Sequence, residues 1–280
     1  MTTEITHPKH ELLRDERFPH IWCPGCGLGI VLQSYINAIE KSSTRIEDNV
    51  LVSGIGCTAR LPGYTNLDTY HTTHGRAIAF ATGMKIANPS LKVTVISGDG
   101  DLFNIGGNHF IHAARRNMDL TVICVNNFNY GMTGGQHGST TPTSSKSAST
   151  PYGNIEASFN LPYIAAALGA SFVARWTVMH PRQFTKSIQK ALDVKGFSFI
   201  EVLSPCPPNF GKLNGFVDGF AEMEFYRKYS VVNEKANLED IWIDPHHGKE
   251  IVLGEFVNRK KPSYLMREQE LINNLKGVKQ

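Results

Sequence analysis

One pattern restricts this chain more than any other: Gly98-Asp99-Gly100-Asp101, followed further on by Asn126-Asn127. Each cluster ends an apolar run. Lys92-Val93-Thr94-Val95-Ile96-Ser97 precedes the first, and Leu120-Thr121-Val122-Ile123-Cys124-Val125 precedes the second. Both runs are rich in β-branched residues and read as buried parallel strands. Between them, Leu102 to Arg116 carries apolar residues at helical spacing. The unit is therefore strand–turn–helix–strand. Both polar clusters fall at the carboxyl ends of neighbouring strands, where open α/β sheets bind ligands. Glycines let the backbone approach a phosphate closely, and a helix start favours negative charge. A diphosphate also needs a hard divalent cation, and Mg²⁺ takes a few protein oxygens plus phosphate oxygens. Asp99 supplies a carboxylate, Asn127 an amide oxygen, and the backbone carbonyl of Asn129 a third ligand. The competing reading is two polar turns with no ligand between them.

The flanking chain repeats the same alternation. Helices are expected near Leu28 to Lys41, from Gly75, from Leu102, near Ile155 to Leu168 and over Pro181 to Leu192. Strands are expected near Val50, Val93, Thr121, Ala170 to Ala174 and Ser198 to Leu203. Such alternation predicts an α/β fold with a parallel sheet and helices on both faces. A hydrophobic content of 41% is ample for that core. Thr140 to Tyr152 is rich in Ser, Thr and Pro and reads as a long loop: a solvent-exposed linker, a lid or a partner-facing segment. Past Pro207 the alternation fades. Residues 1–210 are expected to form the α/β domain, and 211–280 a C-terminal extension that packs on the core or on a partner subunit.

The five cysteines narrow the chemistry. The first residues are polar and of mixed charge, without the apolar stretch of a secretory signal, and no run approaches the roughly 20 apolar residues of a membrane span. A cytoplasmic location with reduced thiols is expected, where closely paired cysteines point to metal or redox work. Cys23-Pro24-Gly25-Cys26 opens a glycine-rich turn; Cys57 follows the strand near Val50, and Cys206 follows Leu203. Cys57, Cys206 and the Asp99 turn all sit in strand-end loops, so four thiols can converge. They suit zinc or an iron–sulfur cluster, and the CxxC alone would also fit a redox pair. Cys124 lies inside a strand and reads as a small core residue. Gly25-Cys26-Gly27-Leu28-Gly29 lacks the spacing and the preceding strand of a dinucleotide fingerprint. A net charge of +3 makes no case for nucleic acid and gives at most weak support for docking an acidic protein.

The spacing of Gly98-Asp99-Gly100 and Asn126-Asn127 resembles the thiamine diphosphate signature. With Trp22-Cys23-Pro24-Gly25-Cys26-Gly27, Gly54-Ile55-Gly56-Cys57, Thr73-His74-Gly75-Arg76-Ala77, Asn126 to Gln136 and Ser204-Pro205-Cys206, the chain resembles the β subunit of a 2-oxoacid:ferredoxin oxidoreductase, and most of all one acting on 2-oxoglutarate. The resemblance implies a thiamine diphosphate-binding fold. It implies thiamine diphosphate with Mg²⁺ on Asp99, Asn127 and Asn129, and one [4Fe–4S] cluster on Cys23, Cys26, Cys57 and Cys206. It implies oxidative decarboxylation to an acyl-coenzyme A, or the reverse carboxylation, with electrons passing to ferredoxin. Further cofactor contacts are expected at Ile55, Gly56, Cys57, Thr58, His74, Gly75, Gly98, Gly100, Asp101, Gly131 and Met132.

Arg60 follows Cys57 closely and suits a substrate carboxylate, because a guanidinium matches a carboxylate in two-point fashion. It fits the distal carboxylate of 2-oxoglutarate better than the methyl of pyruvate; a solvated arginine or an inter-subunit ion pair is the alternative. The pairs His71/His74 and His109/His112 lack a matching carboxylate and read as non-metal. Thiamine enzymes activate the aminopyrimidine with a buried glutamate, and Glu4, Glu11, Glu16, Glu40 and Glu47 all sit in polar contexts. In the family this acid comes from an α subunit, which is therefore an expected partner. A pyruvate:ferredoxin oxidoreductase β subunit is the nearest alternative; a thiamine enzyme without a cluster and a non-catalytic zinc-bearing scaffold are more distant ones.

Overall fold

The computed structural model describes residues 9–246 and 248–277. Its frame is one eight-stranded sheet: β1 (Asn49–Ser53), β2 (Asp68–His71), β3 (Lys92–Gly98), β4 (Thr121–Asn126), β5 (Phe172–Thr177), β6 (Ser198–Leu203), β7 (Ser230–Val232) and β8 (Ile251–Asn258). The order is β2-β1-β3-β4-β6-β5-β8-β7. The six strands from β2 to β5 are parallel, and β8 pairs antiparallel with β5.

Side chains alternate across each strand, so the two faces sort into separate cores. Leu51, Ile96, Ile123 and Ile200 face α1 (Leu28–Glu40) and α5 (Pro181–Asp193). Val52, Val95, Val122 and Phe199 face α2 (Ala77–Ala87), α3 (Gly107–Arg116) and α4 (Leu161–Ala167). The result is a mostly parallel α/β sheet covered on both sides, as expected, with β8 as an antiparallel addition beyond β5.

Three local expectations are corrected. The helix expected from Ile155 starts at Leu161, where Asn160 accepts the Tyr163 N–H and Pro162 occupies the first turn. The helix expected from Leu102 is split into a wide π-type turn, Gly100–Ile105, and then α3. The C-terminal residues also hold more regular structure than their faded pattern suggests: α6 (Gly219–Tyr229), the strands β7 and β8, and α7 (Tyr264–Gly277). β2 was not foreseen; its four residues are all exposed and carry no hydrophobic pattern.

From β1 the chain moves outward to β2, then returns past β1 to β3 and continues toward β4. The direction of winding changes between β1 and β3, so the loops leaving their carboxyl ends part and open a crevice there.

Candidate functional site

The crevice holds a cavity of about 130 Å³. Ile55, Gly56, Cys57 and Thr58 reach it from β1, His74 from the β2–α2 loop, and Gly98, Asp99, Gly100 and Asp101 from β3. Asn127, Asn129, Gly131 and Met132 reach it from β4, with Tyr130 and Thr133, which sequence reasoning did not single out. Gly75 stands behind this lining and donates its N–H to Asp101 at 2.8 Å.

Asp99 is 2% exposed. Its carboxylate accepts the Thr140 hydroxyl and the backbone N–H groups of Gly100 and Asn127. Burial nevertheless pushes its carboxyl up to about 6. A buried carboxylate facing two asparagines with no cationic side chain among its partners suits a divalent metal. Thr140 lies in the stretch read as a loop. That loop is drawn inward, with Thr140, Thr141, Ser145 and Ser147 buried. Nothing local in the sequence separates such a loop from an exposed linker.

A second cavity, about 120 Å³, adjoins the first. Cys23, Cys26, Cys57 and Cys206 all line it, as does the exposed Arg60. Cys57, Asn127, Gly131 and Met132 belong to both linings and form the wall between them. The Cys23–Cys26 turn closes with the Cys26 N–H donating to the Cys23 carbonyl at 3.0 Å. Trp22 donates its indole N–H to the Cys57 carbonyl at 2.8 Å and so ties the turn to the loop after β1. Burial raises the Cys26 thiol to about 12, and the other three thiols add to the shift. Burial raises Cys57 and Cys206 as well. Such thiols become thiolates when a cation is bound among them. Cys124 lies fully buried in β4, away from this group, as expected of a core residue.

Two glycines follow from close approaches here. A Cβ on Gly54 would lie 1.9 Å from Asp101 Oδ2, so only glycine lets β1 end beside that carboxylate. A Cβ on Gly25 would lie 2.9 Å from Gly219 Cα, where α6 packs beneath the CxxC turn. The C-terminal residues thus complete the cysteine site. From α6, the buried Glu222 accepts the Cys206 N–H at 3.3 Å. The Cys206 thiol donates to Asn129 Oδ1 at 3.7 Å, linking the two cavities.

Residues 54–202 match the model of the thiamine pyrophosphate enzyme C-terminal TPP-binding domain. The chain is 50% identical over 271 residues to the 2-oxoglutarate synthase subunit KorB of Methanocaldococcus jannaschii, covering 97% of this chain and 99% of that one. It is 45% identical to the 2-oxoacid:ferredoxin oxidoreductase subunit beta of Saccharolobus solfataricus, over 66% of this chain and 62% of that one. Among solved structures, 2-oxoglutarate:ferredoxin oxidoreductase from Magnetococcus marinus, with 2-oxoglutarate, coenzyme A and succinyl-CoA bound, superposes with a TM-score of 0.84 at 29% identity. That match covers 98% of this chain and 93% of the other. The chain therefore belongs to the thiamine pyrophosphate enzymes and, among them, to the β subunits of the 2-oxoacid:ferredoxin oxidoreductases.

Proposed function

We propose that this chain is the cofactor-carrying β subunit of a 2-oxoglutarate:ferredoxin oxidoreductase that works in the cytoplasm with an α subunit, coenzyme A and ferredoxin. The observation that carries this reading is the pair of adjoining cavities, one lined by the magnesium-type oxygens and the other by four thiols, with Cys57 in the wall between them.

Thiamine diphosphate supplies the carbanion-stabilising chemistry that lets a 2-oxoacid lose carbon dioxide. The chain's own task is to hold and orient it. Asp99, Asn127 and the carbonyl of Asn129 would hold Mg²⁺, and Thr140 fixes the Asp99 carboxylate. Gly131 and Met132 form the cavity wall against which the thiamine would lie. The four thiols that line the second cavity, one close CxxC pair and two distant single cysteines with Pro207 after Cys206, suit a [4Fe–4S] group held by Cys23, Cys26, Cys57 and Cys206. The anaerobically purified protein is expected to be brown and to carry about four irons per chain. A colourless protein with one zinc per chain would overturn the cluster assignment.

Arg60 lines the thiol cavity beside the shared wall, and its guanidinium is exposed enough to meet an entering carboxylate. The complex of this chain with its α subunit should reduce ferredoxin faster with 2-oxoglutarate than with pyruvate. Arg60→Met should cut kcat/KM for 2-oxoglutarate about 10- to 100-fold, as expected for one charge-assisted hydrogen bond, and leave pyruvate turnover unchanged. Preference for pyruvate in the unsubstituted complex would remove both the substrate assignment and the role of Arg60.

A further inference from the structure

Two prolines follow Cys206, and neither carries an N–H. The first donors after the cysteine therefore belong to Asn209 and Phe210. The wide turn Pro207–Gly211 folds both of their backbone N–H groups back onto the Cys206 sulfur. The Asn209 side chain reaches the same atom, with Nδ2 3.9 Å from Sγ. Nδ2 also donates to the Gly131 carbonyl at 2.8 Å. A side-chain amide nitrogen carries two hydrogens, enough for both partners.

The packing around this amide is close. A Cβ on Gly131 would lie 3.3 Å from Cys206 Sγ, tighter than an ordinary contact, so glycine lets the loop after β4 rest against the sulfur. A Cβ on Gly135, where φ is +90°, would lie 2.8 Å from Asn209 Cβ, so the same loop also closes over Asn209. Gly131 belongs to the wall shared by the two cavities, and Asn209 lines the thiol cavity. A sulfur bound to iron has no hydrogen to give and only accepts. Donors to such a sulfur offset the negative charge that an added electron brings, and so ease reduction.

We propose that Asn209 is a positioning residue that serves both cavities with one amide. One hydrogen goes to the Cys206 sulfur and raises the reduction potential of the iron–sulfur group held there. The other goes to the Gly131 carbonyl and fixes the wall against which thiamine diphosphate would lie. The electron exit and the thiamine wall thus share one joint, so a movement of either is felt by the other. This inference rests on the cluster reading of the second cavity and the thiamine reading of the first.

The test is a potentiometric titration of the anaerobic complex with its α subunit, followed by electron paramagnetic resonance of the reduced cluster. It compares the unsubstituted protein with Asn209→Leu and Asn209→Ala. Both variants keep the two backbone donors and lose the side-chain donor. Leucine also fills the space against water, whereas alanine keeps only the Cβ on which Gly135 packs and so reads the effect where leucine is too bulky. At unchanged iron content, the midpoint potential should move to a more negative value in both variants. Thiamine diphosphate affinity, measured by titration calorimetry, should fall about 3- to 10-fold, as for one neutral hydrogen bond. A side chain that only shaped the turn would leave the potential where it is. An unmoved potential in an iron-loaded variant, loss of iron from both variants, or unchanged thiamine diphosphate affinity overturns the proposal. An unsubstituted complex without a [4Fe–4S] signal overturns the cluster reading itself, and one that binds no thiamine diphosphate overturns the reading of the larger cavity.

Discussion

Replacing Asp99 with alanine is expected to weaken Mg²⁺-dependent thiamine diphosphate binding by more than about a hundredfold, while iron content stays unchanged. The effect is large because Asp99 is the cavity carboxylate set beside Asn127, whereas Asp101 is turned toward the loops after β1 and β2. Asp101 is held by Ile55, Gly75, His74 and Ser97, whereas Asp99 is oriented by Thr140 and two backbone N–H groups toward Asn127. The asparagines alone leave a dication without a formal counter-charge from the protein. In the ion-free protein, burial has raised the Asp99 carboxyl to about 6, so its ionised form opposes folding once pH rises through that value. Alanine removes that penalty. The ligand-free variant should therefore melt no lower than the parent at neutral pH, yet lose the rise in melting temperature that magnesium and thiamine diphosphate confer on the parent. Titration calorimetry and thermal shift together read both effects. Undiminished affinity would take Asp99 out of the metal site.

The parallel frame and most of the site were legible because both are written in short local patterns. Apolar β-branched runs such as Lys92 to Ser97 can only be buried strands, and polar residues directly after them must lie at the sheet's carboxyl edge. This alone brings Asp99, Asn127, Cys57 and Cys206 to one side of the molecule, and the structure does place them around two adjoining cavities. What stayed hidden depends on distant pairing. Thr140 is one threonine in a polar loop until Asp99 gives it a partner. The packing of α6 under the CxxC turn rests on Gly25 meeting Gly219, a contact that neither glycine announces by itself. β8 runs antiparallel on β5 and follows a long stretch without repeating pattern, so nothing local marks it as part of the same sheet. Asp101 reaches the cavity, and its carboxylate also ties together the loops that line it through partners the motif does not announce.

One buried pair did leave a trace. Arg175 interrupts the apolar strand β5, Glu201 interrupts β6, and the two residues are register partners. Both are 1% exposed, with Arg175 Nε donating to Glu201 Oε2 at 2.6 Å. Arg175 also donates to the Ile241 carbonyl at 2.8 Å, so the C-terminal residues join the same network. Glu201 Oε1 accepts the Asn126 amide at 2.7 Å, and Asn126 Oδ1 in turn accepts the Phe128 N–H at 3.1 Å. Phe128 adopts a left-handed backbone, φ 63°, a conformation that a bulky residue keeps only when its surroundings hold it. Glu201→Ala should therefore destabilise the protein by about 3–5 kcal/mol, because it strands a buried guanidinium and frees the Asn126 amide. The double variant Arg175→Met/Glu201→Leu should lose much less, since both charges leave together. Denaturant unfolding of the three proteins reads this directly. Thiamine diphosphate affinity should fall in the double variant as well as in the single one, because Asn126 has lost its anchor in both and the Asn127–Asn129 turn depends on it. If the double variant recovers stability and full affinity together, the pair serves folding alone and the proposed metal ligands Asn127 and Asn129 are positioned by their own turn.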